Sequence, residues 1–214
     1  MATLLLRLAA PLQAWGCNSK FNTRNTEREP TKSGVIGMIA AALGIQRDGD
    51  PDALLPLTGL RFGVRVEKEG TLIQDYHIAR PDGKDPYVTN RYYLSDAVFL
   101  AGLESDDTAL LESIGNAILH PVYPMFLGRR ACPVTLPVYL NISEQNLVDA
   151  LINAVALTAA KPVRIVYEVT TGGVVVQDVP ISFSQLHRQH GYRMKKEEIL
   201  YNDHDALAEL GVDE

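Results

Sequence analysis

The order of apolar segments along the chain is the feature that most constrains its fold. Between about residues 3 and 140, short apolar runs typical of strands alternate with segments whose apolar residues recur at helical spacing. The order is strand, helix, strand, strand, helix, strand, which predicts an α+β domain of the ferredoxin-like, RRM-like kind. The predicted strands cover 3–8, 60–66, 92–103 and 132–140, and the predicted helices begin at 31–33 and at 106–107. The strand over 132–140 is expected to be an edge or irregular strand, because it carries Pro133 and Pro137.

The predicted strand over 60–66 alternates apolar and basic residues. Phe62, Val64 and Val66 share one face, and Arg61 and Arg65 share the other. Because successive side chains of a strand point to opposite faces, this pattern predicts a half-buried strand with both arginines in solvent.

A polar stretch at about residues 75–90 interrupts the apolar pattern. It contains the turn signals Pro81-Asp82-Gly83 and Asp85-Pro86. We expect it to form an excursion or arm that precedes the strand predicted from Tyr92.

Further elements are expected after residue 140. The pattern predicts a helix over 143–159 capped by Ser143, then a hairpin of 163–170 and 174–179, and a strand-like segment around Tyr192. The predicted divisions are 1–140 for the ferredoxin-like part, 141–196 for C-terminal helix and β-rich additions to the same domain, and 197–214 for an acidic tail.

The net charge alone argues against a nucleic-acid partner, but its distribution does not. The chain has 20 basic and 26 acidic residues, a formal charge of −6. Seven acids and no base lie in 197–214, so the rest carries 20 bases against 19 acids. Bases cluster in 1–35 and in 179–196, and phosphate binding depends on such local charge. A solvated basic face is the alternative interpretation.

Composition indicates an ordinary globular protein, with 46% hydrophobic and 21% charged residues. No apolar run approaches the roughly 20 residues that a membrane-spanning helix needs, and the first residues lack a signal-peptide layout, so we expect a cytoplasmic protein without a membrane partner. Cys17 and Cys132 cannot form a four-ligand zinc site by themselves. A disulfide between them is the alternative, but a reducing compartment disfavours it, so both are expected to be free thiols. No metal or other cofactor is expected.

The sequence offers little evidence for a catalytic site. It contains no Walker-type loop and no Gly-x-Ser-x-Gly elbow. His77, beside Tyr76 and Asp75, could perform general acid–base chemistry on RNA, although a histidine in a polar loop is more often simply exposed.

Three segments combine cations with glycine or aromatic residues. Residues 24–34 lead into a helix start where Lys32, Ser33 and Gly34 could bind an anion. Residues 123–130 place Phe126 before Gly128 and a pair of arginines, and 90–93 combine Arg91 with two tyrosines. Guanidinium groups bind phosphates and aromatic rings stack on bases. Plain helix capping and chance arginine pairs are the alternatives.

Several ordered segments resemble the Cas-five family of RAMP proteins, subunits of the type I-E CRISPR surveillance complex, Cascade. The matching segments are LRLAAPLQAWG (6–16), PTKSGVIG (30–37), ALGIQR (42–47), DYH (75–77), RYYLSDA (91–97) and LGRRACP (127–133). They span roughly residues 4–133, and weaker similarity continues to about Arg193.

The resemblance implies a non-catalytic subunit that binds and caps the repeat-derived 5′ handle of the CRISPR RNA (crRNA). It also implies contacts with the backbone subunit and the large subunit of the complex, and an indirect role in target-DNA binding for antiviral defence. The polar arm would be the family's thumb, although it is short. Some family members have Tyr where this chain has Phe126.

The expected RNA contacts follow from the matched segments. Arg91, Arg129 and Arg130 would contact handle phosphates or base edges. The start of the first helix would bind an anion, and aromatic residues would stack on bases or pack beside the RNA. The full set is Trp15, Arg24, Lys32, Ser33, Gly34, His77, Asn90, Arg91, Tyr92, Phe126, Gly128, Arg129 and Arg130.

The sequence alone leaves two other functions possible. In some other CRISPR subtypes a Cas-five protein is a metal-independent endoribonuclease that processes the precursor RNA, for which His77, Tyr76 and either Lys32 or Lys84 would be candidates. An interaction domain without an RNA role is the third possibility.

Overall fold

The computed structural model describes residues 1–16, 23–80, 85–184 and 186–200. The described residues form eleven strands, four α-helices and a 3-10 helix over Pro51–Leu54. The helices are α1 (Lys32–Leu43), α2 (Leu55–Thr58), α3 (Thr108–Leu119) and α4 (Leu147–Asn153). The strands are β1 (Ala2–Ala9), β2 (Leu12–Gln13), β3 (Thr23–Arg24), β4 (Arg61–Lys68), β5 (Thr71–Ala79), β6 (Tyr87–Ser95), β7 (Val98–Ser105), β8 (Tyr139–Ser143), β9 (Arg164–Val169), β10 (Val174–Ser182) and β11 (Gln189–Ile199).

A seven-stranded sheet forms the centre of the mixed α+β fold, in the order β10-β11-β9-β4-β7-β1-β8. Neighbouring strands in it are antiparallel. Both faces of β1 are buried: Leu4, Leu6 and Leu8 belong to the large core beneath α1 and α3, and Leu5 belongs to a second core beneath α4. The sheet is therefore covered by helices on both sides.

Helix α1 starts where the sequence predicts. The Thr31 hydroxyl accepts the Gly34 N–H at 3.2 Å, and Gly44 ends the helix with a φ of +80°. The helix buries most of its surface, including Val35, Ile36 and Ile39, as its apolar composition requires.

The arm is a two-stranded hairpin that is longer than predicted. Strands β5 and β6 pair from Thr71–Ser95 to Ala79–Tyr87, and β6 also pairs with β2 and β3 in a second sheet. The continuous strand predicted over 92–103 is wrong, because Asp96 adopts a φ of +57° and separates β6 from β7. Arm residues 81–84, including Lys84, lie outside the described residues.

The exposed position predicted for Arg65 is also wrong. Its side chain is buried against α4, where it pairs with Glu67 and donates to the carbonyl oxygens of Leu151 (2.6 Å) and Ala154 (2.7 Å). These bonds satisfy carbonyls at the end of α4, which begins after Asn146 and ends at Asn153 rather than covering 143–159.

The hairpin predicted after residue 163 does not form. Strands β9 and β10 run in the same direction on opposite sides of β11, which pairs with β10 through its first half and with β9 through its second. The predicted strand over 132–140 is reduced to β8 at its end, because the segment carries Pro133 and Pro137, which cannot donate to a ladder. Residues 201–214 of the expected acidic tail lie outside the described residues.

Candidate nucleic-acid interface

A tight turn at residues 126–133 forms one side of the candidate interface. Leu127 donates to the Cys132 carbonyl at 2.8 Å, and Cys132 donates to the Arg129 carbonyl at 2.8 Å. Gly128 has a φ of +91°, and a Cβ there would lie 1.7 Å from the carbonyl oxygen of Ala14. Only glycine therefore fits, and the turn is pressed against the segment that follows β1.

Arg129 joins this turn to the strands beside it. Its guanidinium donates to the carbonyl oxygens of Tyr92 (2.9 Å), Arg24 (2.7 Å) and Asn25 (2.9 Å), and lies 4.8 Å from the ring centroid of Tyr93. Three of the five N–H groups of Arg129 thus bind backbone carbonyls and hold β3, β6 and the turn in position relative to one another. The contact of Arg129 with handle phosphates or base edges stays a prediction.

Three further arginines surround this junction and are named the basic platform: Arg24, Arg91 and Arg130. Arg24 and Arg91 occupy paired positions on the parallel strands β3 and β6. Arg24 and Arg130 are exposed and Arg91 is half-buried, with a buried Nε that has no hydrogen-bond partner in the described part of the chain. Like charges on paired positions repel, so this arrangement favours a bound anion.

Two of the three aromatic candidates lie near the platform with part of their surface accessible. Tyr92 and Phe126 are both half-buried. Trp15, in contrast, is 1% exposed, donates its indole N–H to Gln13 at 3.0 Å and packs its ring on Gly34. The expectation that Trp15 stacks on a base is therefore wrong, and the ring belongs to the core.

The start of α1 is also not available to RNA. The Lys32 N–H donates to the Asp178 carboxylate at 2.9 Å, and the Lys32 ammonium, in a side chain 3% exposed, pairs with Glu168 at 3.0 Å. The anion expected at Lys32, Ser33 and Gly34 is thus a carboxylate of the same chain. The endoribonuclease alternative loses Lys32 for the same reason.

Burial and charge shift the pKa values in this cluster. Burial lowers the pKa of Lys32, and Glu168 offsets only part of the effect. Burial alone would raise the pKa of Asp178, but the hydrogen bond and charge of Arg193 outweigh it and hold that pKa below its usual value. The pKa of Glu29 is lowered in the same way, since Lys195 and Arg164 outweigh its burial.

The arm brings together the remaining candidates. His77 hydrogen-bonds through Nε2 to Asp75, and Asn90 accepts from Gln74 at 2.9 Å. Asp75 is the register partner of Arg91, so the arm joins the basic platform through β6. Cys132 is a buried free thiol whose pKa is raised by burial, and Cys17 lies outside the described residues.

Two structurally decisive residues were missed at the sequence level. Tyr93 lies beneath Arg129, and the doublet of tyrosines in the sequence pointed to this position without distinguishing it from Tyr92. Asp178 gave no signal, because it lies 146 residues from the helix start that it contacts.

The fold and the candidate interface define a mixed α+β protein whose basic platform is built from β3, from strand β6 of the arm and from the adjacent turn. A family model described as CRISPR-associated protein (Cas_Cas5) matches residues 3–194, and the chain belongs to this Cas-five family. No helix in the described ranges combines the length and apolar character needed to cross a membrane.

Known relatives agree with this assignment. The chain is 39% identical to the CRISPR system Cascade subunit CasD of Escherichia coli (strain K12), across 67% of this chain and 72% of that protein. A crystal structure of a Cas protein is 40% identical with a TM-score of 0.75, covering 92% of this chain and 94% of that one. A chain of a CRISPR RNA-guided surveillance complex is 33% identical with a TM-score of 0.76, covering 92% and 89%.

Proposed function

We propose that the chain is a non-catalytic subunit of a type I-E CRISPR surveillance complex and binds the 5′ handle of crRNA through the basic platform. The observation that carries this proposal is the pairing of Arg24 with Arg91 on neighbouring strands, with exposed Arg130 beside them. A phosphate backbone would neutralise this charge, and Phe126, in the turn that carries Arg130, would offer a ring surface. Tyr92 lies on the face of β6 opposite to Arg91 and would offer its ring to RNA from that side. The similarity to CasD supports the choice of complex.

The scaffold proposed for this role is a ferredoxin-like domain over residues 1–140, with 141–199 as additions to it and the residues after 199 as an acidic tail. The tail was predicted from residue 197, but β11 continues to Ile199. Strands β4, β7, β1 and β8 lie side by side, and α1 and α3 connect them in the sequence order of that fold. The hairpin of β5 and β6 is proposed as the thumb. The backbone and large subunits would be its protein partners, and target DNA would be reached through the complex.

Reconstitution with crRNA tests the proposal. The chain would be assembled with crRNA and the backbone and large subunits, and compared with a variant in which Arg24, Arg91 and Arg130 are replaced by Ala. We expect the variant to lose protection of the 5′ handle from nuclease. A charge-matched control replaces Arg47, Arg188 and Lys196, which are exposed cations outside the platform, and should protect the handle normally.

Equal handle protection by both variants would contradict the proposal. Incubating the unmodified chain with repeat RNA completes the test. Specific cleavage that disappears in His77→Ala would favour the endoribonuclease alternative instead.

A further inference from the structure

A cleft of about 270 Å³ lies beside the start of α1, and its lining residues do not include Arg24, Arg91 or Arg130 of the basic platform. Its floor is apolar and consists of Phe62, Val64 and Val166 from the central sheet. One side is lined by Glu27, Glu29, Pro30 and Thr31, and four consecutive residues of β10, 175–178, line the other. Because the four are consecutive, the main chain of β10 forms part of that wall as well as its side chains.

One buried side chain in this cleft has an unused donor. Arg193 is 5% exposed and bonds to Asp178 through Nε (2.6 Å) and Nη2 (2.8 Å), while its Nη1 is buried without a hydrogen-bond partner in the described part of the chain. The guanidinium lies 5.2 Å from the ring centroid of Phe62. A buried donor without a partner is costly, so the cleft favours an occupant that brings an acceptor.

The charges around the cleft argue against a phosphate as that acceptor. Glu27 and Glu29 lie at its side, and the nearby cations are already engaged, Arg193 with Asp178 and Lys195 with Glu29 at 2.6 Å. A carbonyl oxygen could accept from Arg193 without adding a charge beside these carboxylates.

Strand β10 adds a second recognition element. It is the last strand of the central sheet and pairs only with β11 among the described residues. Val174 and Val175, where it approaches the cleft, are 68% and 57% exposed. An edge strand offers alternating N–H and C=O groups that another extended backbone matches.

We propose that the cleft and the adjoining edge of β10 bind an extended, uncharged segment of another protein chain, whose backbone pairs with β10 and whose carbonyl oxygen accepts from Arg193. A small apolar side chain of that segment would occupy the floor over Phe62. The inference rests on the proposed function, because the partner would be another subunit of the same complex, but it concerns a surface separate from the RNA interface.

Photocrosslinking in the assembled complex tests this site. Val176, a register partner of Arg193, would be replaced with p-benzoylphenylalanine, and the crosslinked peptide would be identified by mass spectrometry. We expect a crosslink to one segment of another subunit. The same replacement at Ile152, an exposed apolar residue of α4, is the matched control and should not give it.

A second variant keeps the cleft folded while blocking it. In Val176→Gln the new amide oxygen lies opposite Arg193 and can accept from its free Nη1 without adding a charge beside Glu27 and Glu29. We expect the affinity for the crosslinked subunit to fall by about tenfold or more, with unchanged handle RNA affinity and an unchanged melting temperature.

Any other crosslinking result at position 176 overturns the inference. A crosslink from position 176 to RNA, only to this chain itself, or to nothing would exclude a partner segment in the cleft. Failure of the unmodified chain to assemble on crRNA would overturn the proposed function and the inference together, which distinguishes that outcome from a failure of the cleft alone.

Discussion

The guanidinium of Arg129 lies 4.8 Å from the ring centroid of Tyr93 while it donates to three carbonyl oxygens of two neighbouring segments. A planar group with five donors can make all of these contacts at once, and an ammonium cannot. Arg129 therefore holds the segments that carry Arg24, Arg91 and Arg130 in position, and the proposed RNA interface depends on it.

The first prediction separates Arg129 from its sequence neighbour. We expect Arg129→Lys, which keeps the charge, to weaken handle RNA binding by roughly tenfold, because the fixed positions of β3 and β6 are lost. Arg130→Lys, at an exposed position, should change affinity less than about threefold. Titration of both variants with handle RNA measures this, and equal losses would contradict the positioning role.

The second prediction concerns Gly128. A methyl group there would collide with the Ala14 carbonyl in a left-handed backbone conformation, so Gly128→Ala should lower the free energy of unfolding by about 2–4 kcal/mol. The control is Gly172→Ala, where φ is +71° but a Cβ meets nothing within 4 Å, and there we expect about 1 kcal/mol. Urea unfolding gives both values, and similar losses would argue against the close contact with Ala14.

The third prediction concerns Asp178, which accepts from both Arg193 and the start of α1. Asp178→Asn leaves the buried Arg193 without its charge partner, and we expect a loss of about 3–5 kcal/mol in the free energy of unfolding. Asp106→Asn, which removes an exposed carboxylate from an ion pair with the N-terminus, should cost less than about 0.5 kcal/mol. Comparable costs would show that the buried cluster does not stabilise the fold.

The fourth prediction is the pH dependence of stability. The pKa values of Asp178 and Glu29 are lower in the folded chain than their usual values of 3.8 and 4.5. A lowered carboxyl pKa contributes stability that is present above the usual value and is lost as the pH falls through the folded one. We expect the urea midpoint to drop below pH 4.5 and to drop less steeply in Asp178→Asn. Parallel curves for the two proteins would contradict this origin.

Local elements were predictable because their determinants lie within a few residues. Thr31 and Gly44 bound α1 through contacts inside one turn of the helix, and Asp107 caps α3 by accepting the Leu110 N–H. The arm was also detected, since its turn signals are local. Its true length was not, because β5 is stabilised only by pairing with β6.

The remaining structure depends on contacts that a linear pattern does not encode. Gly172 and Gly173 favour a turn between β9 and β10, but the choice of β11 as the partner of both strands is made by distant residues. Arg129 and Arg130 are equivalent as neighbours in the sequence, and only the fold assigns one to backbone carbonyls and the other to solvent. The helix start at Lys32 was predicted to bind an anion. That anion is the Asp178 carboxylate of the same chain, which lies 146 residues away in the sequence.

The most direct test of the RNA interface is the salt dependence of handle RNA binding for single substitutions. Each phosphate contact that is lost should reduce the slope of log affinity against log salt concentration by about 1. We expect such a reduction for Arg24→Ala, Arg91→Ala and Arg130→Ala, and an unchanged slope for Lys32→Met, whose ammonium is paired with Glu168. A lower slope for Lys32→Met together with unchanged slopes for the three arginine variants would contradict the basic platform as the RNA-binding surface.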